Sequence, residues 1–267
     1  MNNPIFELEN VSFTYLGKYP ALNSISLRFN KGDKVALLGA NGTGKSTLLH
    51  ILDALFFPDK GRISFCGKDL HEKLFDDEKF SRGFRKRVGL VFQNPDVQLF
   101  CPTVKEDIVF GPLQLGFAHD EIKKRLDDLT EVLDIKDLLN RQPHQLSVGE
   151  KKKVSLASVL IIEPEVLLLD EPTAGLDPAT SRHLLDLIDE FHARGKTVIT
   201  ATHDLHIVPE LAEKIYILNR ERTVAGAGSC EEILEDRELL KENNLAHIHK
   251  HRHDGSWHKH PHQHPPI

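Results

Sequence analysis

No stretch of the 267 residues approaches the roughly 20 consecutive apolar residues that a membrane-spanning helix requires. The opening Met1-Asn2-Asn3-Pro4 has neither the basic end nor the apolar run of a secretory leader, which predicts a chain that stays in the cytoplasm. Cysteine is scarce. Cys66, Cys101 and Cys230 stand far apart with no CxxC or other metal-ligand spacing, and an odd number suits a reducing compartment in which they act as packing residues. A basic excess is missing as well: the formal net charge of -6 argues against a dedicated nucleic-acid binder, so no nucleic-acid partner is expected. The single tryptophan, Trp257, lies in a segment with few aliphatic residues to anchor it. The remainder is ordinary globular material, since 40% hydrophobic residues suffice for a sizeable core.

Apolar and polar residues partly alternate over Ile5–Tyr15 and again over Leu22–Phe29, the pattern of half-buried antiparallel strands. Three short apolar runs differ: Val35–Leu38, Val166–Leu169 and Thr197–Thr202 read as buried strands of a parallel sheet. The first enters a Gly-rich turn and then a helix from about Ser46 to Leu55. Residues 103–162 are charged and helix-favouring, with Ile122, Leu126, Leu129 and Leu133 at helical spacing. They predict a helical subdomain inserted into the sheet domain. The fold class is therefore α/β over residues 1–244, with an antiparallel β subdomain and an inserted α-helical one around a core that the motif Gly39-Ala40-Asn41-Gly42-Thr43-Gly44-Lys45-Ser46 marks as that of a phosphate-loop nucleotide hydrolase. A His-, Lys- and Pro-rich tail, 245–267, has the composition of a disordered segment.

Gly39-Ala40-Asn41-Gly42-Thr43-Gly44-Lys45-Ser46 fits G-x-x-x-x-G-K-[ST] in full, between an expected strand and an expected helix. Glycines allow the backbone to wrap closely, so that successive N–H groups meet phosphate oxygens. Lys45 supplies charge for the β- and γ-phosphates, Ser46 is placed to ligate Mg²⁺, and Thr47 follows in the same turn. Asp170 and Glu171 close the apolar run ending at Leu169, where ligands gather in open α/β sheets. Asp170 can hold Mg²⁺ through water, and Glu171 can orient or deprotonate an attacking water. A strand that merely ends in acidic residues is the plain alternative.

Leu146-Ser147-Val148-Gly149-Glu150 precedes a helix-like stretch, and Ser147-x-x-Glu150 also fits a helix capping box. Lys151, Lys152 and Lys153 then fall in the first turns, where the helix dipole disfavours cations unless an anion is nearby or the side chains are well solvated. Here the sequence resembles the ATP-binding-cassette family, whose Leu-Ser-Gly-Gly-Gln signature is approximated with Val148 for the first glycine and Glu150 for the glutamine. The resemblance spans about Ile5 to Ile233. It implies that Tyr15 stacks on adenine, that Gln93 senses the γ-phosphate and serves Mg²⁺, and that Asp177 belongs to the loop after the catalytic glutamate. It further implies that His203 contacts the γ-phosphate. Taken singly, Tyr15 also reads as strand packing, Gln93 as a loop residue and His203 as a core histidine.

The resemblance implies ATP and Mg²⁺ as cofactors, with ATP held between two cassettes. Ser147, Gly149 and Glu150 of one chain would then meet nucleotide bound by a partner, either a second copy or a close paralogue. Val148 is a departure with a consequence, because a β-branched residue cannot take the backbone conformations open to glycine. The segments Gln93–Phe100, Thr103–Ile108 and Phe110–Pro112 look like those of energy-coupling-factor importers, which places integral membrane subunits against this region and the chain at the cytoplasmic face of the membrane. His247, His249, His251, His253, His258, His260, His262 and His264 are eight of sixteen histidines and fall within the last 21 residues. Imidazole suits first-row metal ions, and with the resemblance the tail favours cobalt or nickel cargo. A vitamin or other small solute is the alternative cargo; a non-transport cassette protein or a metal-binding chaperone is the alternative of another class.

Overall fold

The computed structural model describes residues 4–245, and residues 248–253 and 256–261 as backbone. Strands β1 (Pro4–Tyr15), β2 (Tyr19–Asn30), β4 (Lys60–Phe65) and β5 (Lys68–Asp69) form an antiparallel sheet in the order β2-β1-β4-β5. A second sheet takes β3 (Lys34–Leu38), β6 (Val88–Val91), β7 (Val166–Asp170), β8 (Thr197–Thr202), β9 (Lys214–Leu218) and β10 (Val224–Ser229) in the order β10-β9-β3-β8-β7-β6. Its strands run parallel except for β10, which pairs antiparallel with β9 at the edge. Helices are α1 (Lys45–Leu52), α2 (Glu78–Arg85), α3 (Val104–Gln114), α4 (His119–Val132), α5 (Val148–Leu160), α6 (Pro178–Ala193), α7 (Val208–Leu211), α8 (Cys230–Glu235) and α9 (Arg237–Glu242).

β3, β7 and β8 are buried along their whole length, as their unbroken apolar runs require of strands covered on both faces. Side chains divide by the period of two. Val35, Leu37, Val166 and Leu168 join the core containing α1 and the antiparallel sheet, whereas Leu167 and Leu169 join the core built from α3 to α6. Helix α1 thus fills the space between the two sheets, and Leu48, Leu49, Ile51 and Leu52 are fully buried there. Each such burial stabilises by about 1.5–3 kcal/mol, which anchors the phosphate loop to the molecule's centre. α1 stops at Leu52, earlier than its composition suggests, because Ala54 takes a left-handed φ of 52° and breaks the helical path.

Helices α3, α4 and α5 lie between residues 103 and 162. Ile122, Leu126 and Leu133 are buried and Leu129 packs partly, on the stripe that their spacing predicts. In the tail, where composition predicts no element, β11 (Ile248–His253) pairs with β12 (Ser256–Pro261), setting His249 opposite His260 and His251 opposite His258. Alternation in both arms suits a strand's period of two. His247, His262 and His264 lie outside the described residues.

Candidate active site

The phosphate loop leaves the end of β3 and enters α1. A Cβ on Gly39 would lie 2.6 Å from Leu218 O and from Thr43 Oγ1. One on Gly44, at φ 100°, would lie 2.3 Å from Ala21 O, so neither position admits a side chain. Thr43 Oγ1 donates to Ala40 O at 2.9 Å and braces the loop. No side chain caps the start of α1 and its first turn holds no acidic residue, so its N–H groups are left for a ligand.

A cavity of about 450 Å³ opens beside this loop, lined by Asn41, Gly42, Gly44, Lys45, Ser46, Thr47, Tyr15, Gln93 and Glu171. The structure therefore gathers in one place residues that the motifs scatter from 15 to 171. Tyr15 OH lies 3.1 Å from Thr47 Oγ1, and its ring meets the edges of Phe13 and Phe56 with centroids at 5.0 and 5.6 Å. Tyr19 and Arg222 also line the cavity and carry no motif. Arg222 sits at φ 64° in the turn between β9 and β10, its carbonyl accepting from Asn23 N at 2.9 Å. Nothing local in the sequence announces it, because only the sheet order brings that turn to the loop.

The carboxylates at the end of β7 form the opposite wall. Lys45 Nζ donates to Gly39 O at 2.6 Å and to Ala40 O at 3.2 Å, and stands 4.0 Å from Glu171 Oε1. Burial pushes the Lys45 ammonium below its ordinary pKa, against the opposing pull of Glu171 and Asp170. His203 Nδ1 is 2.6 Å from Glu171 Oε1; a carboxylate offers only acceptors, so Nδ1 is the donor. Thr202 Oγ1 donates to the other oxygen, Oε2, at 3.2 Å. Glu171 is thereby oriented at both oxygens while 5% exposed. Burial also raises the pKa of Asp170, offset by its hydrogen bond with Ser46. Asp170 Oδ1 is buried without a hydrogen-bond partner.

Ser147, Gly149, Glu150 and Asp177 do not line the phosphate cavity of their own chain. Ser147 caps α5 in a complete capping box: Glu150 N donates to Ser147 Oγ at 3.3 Å, and Ser147 N donates to Glu150 Oε2 at 2.7 Å. These bonds hold the Glu150 carboxyl below its ordinary pKa. Asp177 caps α6, accepting from Thr180 N at 3.0 Å. Val148 is 55% exposed and keeps a negative φ, so the conformational objection to it does not arise: the first helical position asks nothing that a β-branched residue cannot give. Lys151 pairs with Asp96 at 2.6 Å, and Lys152 runs inward to carbonyls after β7, which accounts for two of the three lysines near the start of α5.

A phosphate loop at a strand-to-helix turn, an oriented carboxylate at the next strand but one, and a helical insertion bearing the signature define a cassette ATPase. Residues 22–174 match the ABC transporter family, and the chain belongs to it. Nickel import ATP-binding protein NikO of Rhodobacter capsulatus is 49% identical over 245 residues, covering 91% of this chain and 96% of that protein. Energy-coupling factor transporter ATP-binding protein EcfA of Methanocaldococcus jannaschii is 40% identical over 241 residues, 90% of this chain and 85% of that one. Among solved structures, a dimeric post-hydrolysis state of the ATP-binding cassette MJ0796, bound to ADP and Pi, superposes with a TM-score of 0.75 at 27% identity, covering 84% of this chain and 98% of that chain. The chain is an ATP-hydrolysing cassette of the energy-coupling-factor type.

Proposed function

We propose that the chain is the ATP-binding subunit of an importer for nickel or cobalt ions, working as a pair of cassettes on the cytoplasmic face of the cell membrane. The observation that carries the pairing is the separation of Ser147 and Gly149 from the cavity their own chain builds. Within the chain Gly149 answers no steric demand: its φ is negative and an added Cβ would meet Thr180 Cγ2 at an ordinary 3.5 Å. The solvent-exposed start of α5 suits the γ-phosphate of nucleotide bound by a partner cassette. When ATP enters, Lys45 exchanges the carbonyls of Gly39 and Ala40 for phosphate oxygens, and Tyr15 receives the adenine face. Glu171, oriented by Thr202 and His203, holds the attacking water and takes its proton. Ser46 and the unpartnered Asp170 Oδ1 are hard oxygen donors that fit Mg²⁺, which supplies positive charge to the phosphates when bound.

Val97, Phe100, Phe110 and Leu113 are exposed large apolar residues on and beside the loop after Gln93, with Phe100 and Phe110 edge to face at 5.0 Å. They suit coupling helices of a membrane subunit. That loop is tied to α5 by Gln98, which donates to Ser155 O at 2.8 Å, and by the Lys151–Asp96 pair. Among the described residues no helix is long and apolar enough to cross a membrane. Metal cargo is supported by the name of the Rhodobacter relative and by the histidine-rich tail, whose backbone register sets two pairs of histidines opposite each other. The test is uptake of radiolabelled Ni²⁺ and Co²⁺ into vesicles carrying the complex that co-purifies with this subunit. ATP-dependent uptake of either ion is expected; uptake of neither refutes the cargo. Removing residues 245–267 leaves ATPase and part of the uptake intact, whereas a metal chaperone would lose its metal function altogether.

A further inference from the structure

Lys152 has no place in the mechanism above, yet it is one of the few buried cations among the described residues, 6% exposed on the second turn of α5. A lysine there is disfavoured twice: by the positive end of the helix dipole and by burial, which pushes its pKa down. An apolar side chain would fill the same space without either cost. What the ammonium does is specific. Its Nζ donates to Glu171 O at 2.7 Å and to Pro172 O at 3.2 Å, the two carbonyls that follow the catalytic carboxylate in the chain.

Glu171 needs such a hold. Its φ of 46° is left-handed, a conformation that a residue with a Cβ rarely adopts, and it precedes Pro172, whose ring pushes its neighbour toward extended backbone. Glu171 N is fixed by Ala201 O at 2.9 Å, and on the far side the peptide is fixed by Lys152 and by Ala174 N, which donates to Glu171 O at 3.2 Å. If the far side were released, the backbone would relax toward negative φ and turn the carboxylate away from His203 Nδ1 and Lys45 Nζ.

We propose that Lys152 is a positioning residue for hydrolysis, holding the backbone of Glu171 in the strained conformation that aims its carboxylate at the phosphate cavity. Because Lys152 belongs to α5, the helix that starts at Ser147 and the backbone of Glu171 are joined by direct hydrogen bonds. The role rests on the reading of Glu171 as the hydrolytic carboxylate, so E171Q is measured alongside.

The test compares K152M, K152R and E171Q in the full chain within its assembled complex, reading kcat, KM for ATP and affinity for a fluorescent ATP analogue. A small misplacement of a reacting group can cost about 10²-fold in rate, so K152M is expected to lower kcat by roughly 30- to 100-fold with KM and analogue affinity within about 3-fold. K152R, which restores a cationic donor, is expected to recover about 10-fold of that loss. Should K152M fail to assemble, K152Q serves in its place; its shorter amide reaches one carbonyl at most, and an intermediate kcat at unchanged KM is expected. E171Q retaining near-normal turnover would remove the hydrolytic carboxylate itself. With E171Q inactive, the positioning role is overturned if kcat of the Lys152 variant stays within about 3-fold of the parent, or if kcat and ATP affinity fall by the same factor.

Discussion

Helices α1 and α5 both begin at glycine-bearing motifs, and the two beginnings are built in opposite ways. At α1 the chain itself demands the glycines: side chains at Gly39 and Gly44 would collide with Leu218 O and Ala21 O, and no side chain caps the helix. At α5 the cap is complete, Ser147 and Glu150 satisfying each other's backbone N–H groups, while Gly149 has room for a Cβ that nothing in the chain forbids. One end is an anion site waiting open; the other is self-satisfied and presents its free space outward. The difference supports the proposed pairing, in which one chain contains a binding half and an activating half and the second acts on a nucleotide held by the partner's loop.

Breaking the open end has the largest expected effect. K45A removes the cation of the loop, and ATP affinity measured by analogue titration should fall by about 10²-fold or more, with turnover lost in parallel. Breaking the capped end should separate the two quantities. S147A is expected to leave ATP affinity near the parent value, to lower kcat by about 10²-fold, and to cost about 1 kcal/mol in denaturant unfolding through loss of the cap. Equal losses of affinity and turnover in S147A would erase the contrast between the two helices.

The other end of α1 sharpens the comparison through pH. Asp53 is its C-cap, an acid at the negative end of the dipole, and burial pushes its pKa up to about 7 despite the Arg85 guanidinium 2.9 Å away. A folded pKa above the unfolded one means that this group's stabilising contribution is complete below about pH 4 and is lost as pH rises through about 7. The parent should therefore lose stability relative to D53N between pH 4 and 7, by at most about 1.4 kcal/mol per pH unit; parallel stability curves would show that Asp53 does not titrate there. The smallest effect belongs to V148G. Because Val148 already has helical backbone and is 55% exposed, restoring the family glycine should change stability by less than about 1 kcal/mol and turnover by less than about 3-fold. A gain of tenfold in turnover would mean that the valine obstructs the approaching nucleotide.

Much of the site is readable before any coordinates, because phosphate binding writes itself locally: Gly39 to Ser46 are contiguous, and Asp170 and Glu171 end an apolar strand. The stripe on α4 is equally readable from the spacing of Ile122, Leu126, Leu129 and Leu133. Arg222 and Tyr19 were not, since they reach the cavity only through sheet order and a hairpin turn. The purpose of Lys152 was hidden for a related reason. In sequence it is one of three lysines at an unfavourable helix start, and only the packing of α5 against the end of β7 distinguishes it from Lys151, which pairs at the surface with Asp96. A glycine in a motif suggests a conformational need, but at the first helical position of α5 Val148 keeps a negative φ that a β-branched residue adopts freely.

The claim that one chain's loop is served by another chain's signature is tested by mixing two inactive variants. K45A lacks a working loop and keeps its signature; S147A keeps its loop and lacks the signature. If sites form between chains, a mixture allowed to exchange subunits contains pairs in which one site has both intact halves, and roughly a quarter of parental ATPase activity should return. A mixture no more active than its two components, with exchange verified by differently labelled chains, would contradict the account.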